Sequence, residues 1–316
     1  MPAIRAALRA LVLTSLVVAG GALAGGATAS AAAKPTCLGA AARDAKRPCF
    51  NATRSFTPAL KDVDNPGASP CTLTTQKPEP VCTFGTSARR ARGAIALIGD
   101  SHALHWRAAL EHVAKRRRWR GFSLTAPACF YSEAIYSLIE GLRAPCIEWF
   151  RAAKKWFHDH PQISTVFVSQ NAPTPVDVGP GQTALDVKVD GFRRAWTALP
   201  KTVKHVVVIR DTPVQADGTV DCVRQAVAAG RRPGPACPTP RADALLEDSA
   251  VAAVAAIGST RFQAIDMTDF FCGATDCYPV IGGVLVHRDR DHITVLYAQT
   301  LGPYLLRRVQ GLMRSW

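Results

Sequence analysis

From residue 94 onward, short apolar runs alternate with stretches of helical length, and few architectures accommodate that alternation. IALIG at 95–99 is closed by Gly99-Asp100, the pattern of a buried strand entering a turn. Residues 102–115 follow as a helix, with Leu104, Ala108, Leu110 and Val113 among its apolar positions. GFSLTAP predicts a second strand, 146–159 a helix, STVFVSQ a third strand, 183–199 a helix and HVVVIR (205–210) a fourth strand. After a Pro-, Gly- and Cys-rich excursion over 212–240, a helix is expected at 242–257, a strand at 262–266 and a long closing helix at 294–313. Such an order builds an α/β fold of three layers, a mostly parallel sheet covered on both faces. Ligands in these folds bind at the carboxyl ends of the strands, where Ser101 falls.

The first residues bear on the compartment. Arg5 and Arg9 precede the apolar run LVLTSLVVAGGALAGG, and small residues then offer cleavage sites. That layout is a secretory signal peptide over 1–33, and export gives meaning to an even count of 10 cysteines. They fall in local groups: Cys37 and Cys49, Cys71 and Cys82, Cys129 and Cys146, Cys222 and Cys237, Cys272 and Cys277. Neighbour pairing gives five short loops, although the first two groups could exchange partners. None has the Cys-x-x-Cys spacing of a zinc knuckle. Residues 34–93 are loop-rich and hold four of the cysteines, so they read as a disulfide-stapled extension packed on a catalytic domain over 94–316.

The formal charge of +14, partly in Lys115-Arg116-Arg117-Arg118 and in Arg89, Arg90 and Arg92, suits anionic envelope polymers or lipid head groups, or is a solvated basic surface. It does not read as a nucleic-acid site, because no aromatic-interleaved platform accompanies the basic runs.

Ser101 lies between a buried strand and a helix start, where backbone N–H groups face any anion formed beside it. It could be a nucleophile or merely a helix cap. VLVHRDRDHIT supplies the rest of a triad, since His292 can accept the serine proton and an aspartate can fix its tautomer. Both Asp289 and Asp291 are placed for the acid role.

These stretches carry a resemblance. Gly99-Asp100-Ser101-His102 is similar to the first block of the SGNH/GDSL hydrolase superfamily, and Asp289-Arg290-Asp291-His292 to its closing Asp-x-x-His block. GDSHALHW, FCGATDCYPVIGG and HRDRDHIT together resemble one branch more closely: the extracytoplasmic SGNH domain fused to membrane acyltransferase-3 proteins that modify envelope polysaccharides. The likeness runs over about 35–314. It implies a flavodoxin-like SGNH-hydrolase fold, with Ser101 as nucleophile, His292 as base and Asp289 as orienting acid. It also implies an oxyanion hole made by the Ser101 N–H, a backbone donor after the second strand, and an amide after the third, for which Asn171 is the candidate and Gln170 a substitute. Family members present Gly-x-Asn-Asp in that third block, whereas Ser169-Gln170-Asn171-Ala172 stands here; the second-block glycine is missing, with Gly121 before the second strand and Ala126 to Ala128 after it.

The function so implied is serine-dependent hydrolysis or transfer of O-acyl, chiefly O-acetyl, esters on envelope carbohydrate, in a secreted or envelope-associated enzyme. No cofactor and no metal is expected to take part. The expected partner is an acylated carbohydrate or envelope polymer; without the relatives' fused membrane domain in this chain, the enzyme is expected either to act as a free-standing esterase or to work beside a separate membrane acyltransferase, and to be a monomer. The alternatives are a non-catalytic carbohydrate-binding module of the same fold, and a lipase or general esterase. Asp211, after the fourth strand, is a further rim acid; His102 could line the pocket, His105 reads as surface or structural, and Trp106, Trp149 and Trp156 as helix packing.

Overall fold

The computed structural model describes residues 37–47, 49, 51, 55–59, 62, 72–73, 81–136 and 141–316. The leader expected over 1–33 lies outside them.

The centre is a seven-stranded sheet. Its strands are β1 (Thr72–Leu73), β2 (Cys82–Gly85), β3 (Gly93–Gly99), β4 (Trp119–Thr125), β5 (Ile163–Ser169), β6 (His205–Ile209) and, after the two-residue β7 (Thr239–Pro240), β8 (Phe262–Ile265). The spatial order is β1-β2-β4-β3-β5-β6-β8. From β4 to β8 all pairings are parallel, while β2 runs antiparallel on β4 and β1 antiparallel on β2. The loop-rich segment 34–93 thus lends two edge strands to the sheet. Two small antiparallel pairings complete the strands: β9 (Asp276–Cys277) on β7, and the hairpin β10 (Val280–Ile281) on β11 (Val284–Leu285).

Strand alternation divides the core in two. Ile95 and Leu97 of β3 and Val207 and Ile209 of β6 face one cluster, with Trp106, Leu110, Tyr297, Leu301 and Leu305. Ala94, Ala96 and Ile98, with Val206 and Val208, face the other, with Trp149, Phe157, Phe192 and Trp196. A sheet buried on both sides needs continuous apolar strands, which is why these runs lack a polar face. The first layer is made by α1 (Ser101–Arg117) and the closing helix Val295–Leu312. The second holds α2 (Arg143–Asp159), α3 (Ala184–Thr197) and the helix Ser249–Ile257. Trp106 and Trp149 are buried on opposite faces of the sheet, and Trp156 packs, partly buried, against the cluster that holds Trp149.

The 212–240 excursion carries α4 (Thr219–Ala228) and the short α5 (Pro233–Ala236), tied by Cys222–Cys237. One continuous helix over 242–257 is not formed. It divides into α6 (Arg241–Ala244) and α7 (Ser249–Ile257), because Asp248 accepts from Ala250 N at 2.9 Å and Val251 N at 3.1 Å and so starts a new helix. The closing helix is then α8 (Val295–Leu312). Gly302 lets α8 approach α1: an added Cβ would lie 2.6 Å from that of His112.

Four disulfides join neighbours: Cys37–Cys49, Cys129–Cys146, Cys222–Cys237 and Cys272–Cys277. Cys82 is also disulfide-bonded, and its expected partner Cys71 lies outside the described residues. Such bracing belongs to an extracytoplasmic chain, since cytosolic thiols are kept reduced. Cys129–Cys146 ties the segment after β4 to the first turn of α2 across a separation of 17 residues. Replacing both by serine is expected to lower unfolding stability by about 3 kcal/mol, from the loop entropy returned to the unfolded chain, read as a shift in urea midpoint.

Candidate active site

The parallel strands run in the order β4-β3-β5-β6-β8, so the chain leaves β3 in opposite directions and opens a crevice at the carboxyl ends of β3 and β5. Ser101 follows β3 and Asn171 follows β5, so the site stands at that switch point.

The turn before Ser101 is tightly specified. Gly99 has φ +141°, and a Cβ there would sit 2.1 Å from the Ser169 carbonyl oxygen. Gly99→Ala is expected to cost about 3 kcal/mol or more in denaturant unfolding, because the backbone of β5 cannot yield and an L side chain disfavours this φ. Asp100, not Ser101, caps α1: its carboxylate accepts from His102 N at 2.8 Å and from Asn171 N at 2.9 Å, stitching the nucleophile turn to the end of β5. Burial pushes the Asp100 pKa up to about 6 against those N–H donors and His102. Relieved of capping, the Ser101 hydroxyl faces His292, with Oγ 2.8 Å from Nε2.

His292 lies in the turn before α8, whose N-cap is Thr294. That turn is held by Arg288 N donating to His292 O (2.9 Å), Gln215 N to Arg290 O (2.7 Å) and Thr212 Oγ1 to Asp291 O (3.2 Å). On the far side of the ring, Nδ1 is hydrogen-bonded to both carboxylate oxygens of Asp289, at 2.9 and 3.0 Å. Asp289 also accepts from the backbone N–H groups of Asp291 and His292, which orients its carboxylate. Asp291 Oδ1 is as near, 3.0 Å, but as an ion-pair contact rather than an aligned hydrogen bond. The hydrogen-bonded Asp289 carboxylate and then the close Asp291 carboxylate, opposed by burial, raise the His292 pKa to about 9.

Behind this row lies a second histidine–carboxylate pair. His102 is wholly buried, and its Nδ1 meets Asp211 Oδ1 at 2.6 Å. Burial opposes its charge, but Asp211, Asp291 and Asp100 together hold its pKa well above the ordinary value. Asp211 is fixed in turn by the N–H groups of Ala172 and Thr212, both at 2.8 Å, while its own N–H donates to Asp248. Asn171 links the two pairs: its Nδ2 donates to Asp291 Oδ2 at 3.3 Å and stands 3.1 Å from His102 Nε2. Asp291 is held well below the usual carboxylate range, first by His102 and then by His292. His105 is buried, not on the surface, and burial beside His102 and His292 keeps it neutral.

The structure therefore brings Ser101, His292, Asp289 and Asn171 to one locus, and adds Asp291, His102 and Asp211. Asp291 is the second acid of the Asp-x-x-His turn, and His102 and Asp211 come from the ends of β3 and β6, distant in sequence, with only the histidine after the serine and an acid after the fourth strand to signal them. Gly121 lies inside β4, with the Phe84 ring where its Cβ would be, so it serves packing rather than the rim. At the rim, Ala128 adopts φ +60°, a conformation glycine takes more readily, directly after β4. Among the described residues, one group of side chains could hold a metal ion, His102, Asp291 and His292, with ligand atoms within 4.8 Å of one another.

A serine hydroxyl bonded to a histidine that is itself bonded to a carboxylate is the Ser-His-Asp arrangement of ester hydrolases and acyltransferases. The family model "SGNH domain (fused to AT3 domains)" matches residues 68–307, and the chain belongs to that family. It is an SGNH-type ester enzyme. No curated protein matches it in sequence. Among solved structures it is similar to the periplasmic domain of a lipopolysaccharide acetyltransferase from Salmonella ser. Paratyphi A. The TM-score is 0.53 at 11% identity, covering 70% of this chain and 85% of that one, a likeness of fold. A looser match, TM-score 0.26 at 8% identity over 83% and 76% of the two chains, is a soluble variant of monoglyceride lipase from Saccharomyces cerevisiae, and bears no argument.

Proposed function

We propose that this enzyme removes or transfers O-acyl groups, chiefly O-acetyl, on cell-envelope carbohydrate, with Ser101 as nucleophile, His292 as general base and Asp289 as orienting acid. The observation that carries the reading is the 2.8 Å contact between Ser101 Oγ and His292 Nε2, backed by Asp289 on Nδ1. His292 takes the Ser101 proton as Oγ bonds to the ester carbonyl carbon; the tetrahedral oxyanion forms, the sugar oxygen leaves with the proton from His292, and an acyl-serine remains. Water or a second sugar hydroxyl, deprotonated by His292, then attacks the acyl carbon and frees Ser101. One constellation serves both outcomes.

The Ser101 N–H at the start of α1 and the Ala128 N–H of the rim turn are the backbone oxyanion donors of this mechanism, since the Ala126 N–H is bonded to Gly99 O and Pro127 has none. Asn171 is the side-chain donor, releasing one of its resting contacts, to Asp291 or His102, as negative charge grows on the substrate. Asn171→Ala is expected to lower kcat by about 10²- to 10³-fold with little change in KM, as loss of one oxyanion donor does. Steady-state kinetics on an aryl acetate checks it.

The substrate class rests on the family description, which couples this domain to AT3 domains, and on the lipopolysaccharide-acetylating activity named for the Salmonella domain. A net charge of +14 suits an anionic envelope polymer. A membrane acyltransferase is the partner that would supply acyl groups for transfer; among the described residues no helix is long and apolar enough to cross a membrane. The test is acetate release from acetylated envelope glycans and from acetylated monosaccharides. Release from glycan is expected; release from simple lipid esters alone would replace this reading with a lipase.

A further inference from the structure

We propose that His102, Asp291 and His292 form a Zn²⁺ site whose occupation switches the enzyme off; the inhibition, though not the binding, rests on the catalytic roles proposed above. The three side chains present ligand atoms within 4.8 Å of one another, two imidazoles and a carboxylate, a donor set that zinc favours. His292 Nδ1 lies 3.0 Å and His102 Nε2 3.8 Å from Asp291 Oδ1, spacings that a tetrahedral ion with ligand bonds of about 2.0–2.2 Å spans with small side-chain adjustments.

The surroundings are built as metal sites are. His102 is wholly buried, and its Nδ1–H is held by Asp211 at 2.6 Å, which aims Nε2 toward Asp291 and His292, where the ion would replace the Nε2 proton. A carboxylate behind the ligating imidazole is the usual device for fixing tautomer and ring orientation in zinc sites. Asp211 is itself pinned by the N–H groups of Ala172 and Thr212. Asn171 covers the remaining side, with Nδ2 3.1 Å from His102 Nε2 and with Oδ1 buried and without a partner. Turning that amide over would bring its oxygen toward the ion as a fourth ligand, leaving no orphaned acceptor. Asp291 and His292 are partly exposed, so the ion has an entry.

Inhibition follows from where the proton is left. Zn²⁺ takes the place of the Nδ1 proton of the protonated His292 ring, breaking its hydrogen bonds to Asp289 and releasing that proton to solvent, and the neutral ring keeps its other hydrogen on Nε2. The 2.8 Å contact with Ser101 then runs from Nε2–H to Oγ, and no lone pair remains to accept the serine proton.

The test is calorimetric titration of untagged, chelator-treated Ser101→Ala protein with zinc chloride, beside Zn²⁺ inhibition of aryl-acetate turnover by the parent. One Zn²⁺ per chain is expected to bind in Ser101→Ala, independent of any turnover. His102→Gln should lose this binding, and Asp211→Asn should weaken it about 10- to 100-fold through the freed imidazole. Circular dichroism confirms that each variant is folded, and Asp211→Asn decides the matter if His102→Gln is not. Parent turnover should fall with the same Zn²⁺ dependence and return on adding a chelator. Absence of stoichiometric binding in Ser101→Ala, equal binding in His102→Gln or Asp211→Asn, or saturated binding with undiminished turnover would overturn the proposal. An enzyme inert toward every ester yet binding Zn²⁺ through His102 would overturn the proposed chemistry instead, and with it the off-switch, leaving only the metal site.

Discussion

Ser101→Ala is expected to abolish ester turnover, a fall of about 10⁵- to 10⁶-fold in kcat, while leaving the fold unaltered. The magnitude follows from what is removed. Without Oγ there is no acyl-enzyme, and His292 is left facing a methyl group. Any residual rate comes from water activated by His292 and from the oxyanion donors. The fold survives because Asp100, not Ser101, caps α1, and its bonds to His102 N and Asn171 N do not involve the serine side chain. Stopped assays of acetate release, with circular dichroism on both proteins, check the two halves. A variant that unfolds would show that the hydroxyl is structural; one that retains turnover would remove Ser101 from the chemistry.

The second large effect separates the two acids beside His292. Asp289→Asn is expected to lower kcat about 10⁴-fold, as when a triad aspartate is lost and the wrong imidazole tautomer is left in place. Asp291→Asn should cost much less, because its oxygen makes an ion-pair contact without the aligned hydrogen bonds that Asp289 makes. The pH profile discriminates further. His292 acts as a base only when neutral, and its pKa is raised to about 9 by Asp289 and Asp291. Activity in the parent should therefore climb about tenfold per pH unit below that value and level off above it. Removing the Asp291 charge lowers the His292 pKa and moves the climb to lower pH with the plateau largely kept. Removing Asp289 lowers the plateau itself. If Asp291→Asn gave the collapsed plateau and Asp289→Asn only the shift, the orienting role would belong to Asp291.

The alternation of apolar runs with helical stretches was enough to place β3, β4, β5, β6 and β8 and the helices between them, because doubly covered strands must be apolar throughout. Ser101 and the Asp289/His292 pair were legible as short motifs at element boundaries. Spacing made neighbour pairing of Cys129 with Cys146 and of Cys222 with Cys237 the simplest expectation, since short loops close most readily, while the connectivity itself is set by the fold. Other features depend on contacts that no local pattern carries. The break before α7 arises because Asp248 both caps that helix and receives the Asp211 N–H, a tertiary demand invisible along an alanine-rich stretch. The His102–Asp211 pair needs β3 and β6 to be near neighbours across β5. Ala128 was named in the sequence only as standing where the family glycine is missing, because a left-handed residue is sought as glycine.

The most direct test of the central claim is trapping of the acyl-enzyme. Protein with its disulfides intact is mixed with an excess of aryl acetate, quenched in acid and mapped by peptide mass spectrometry. A single acetyl group on Ser101, absent from Ser101→Ala and slowed in Asp289→Asn, is the predicted result. Acetylation confined to lysines, or undiminished in Ser101→Ala, would contradict a serine-centred mechanism.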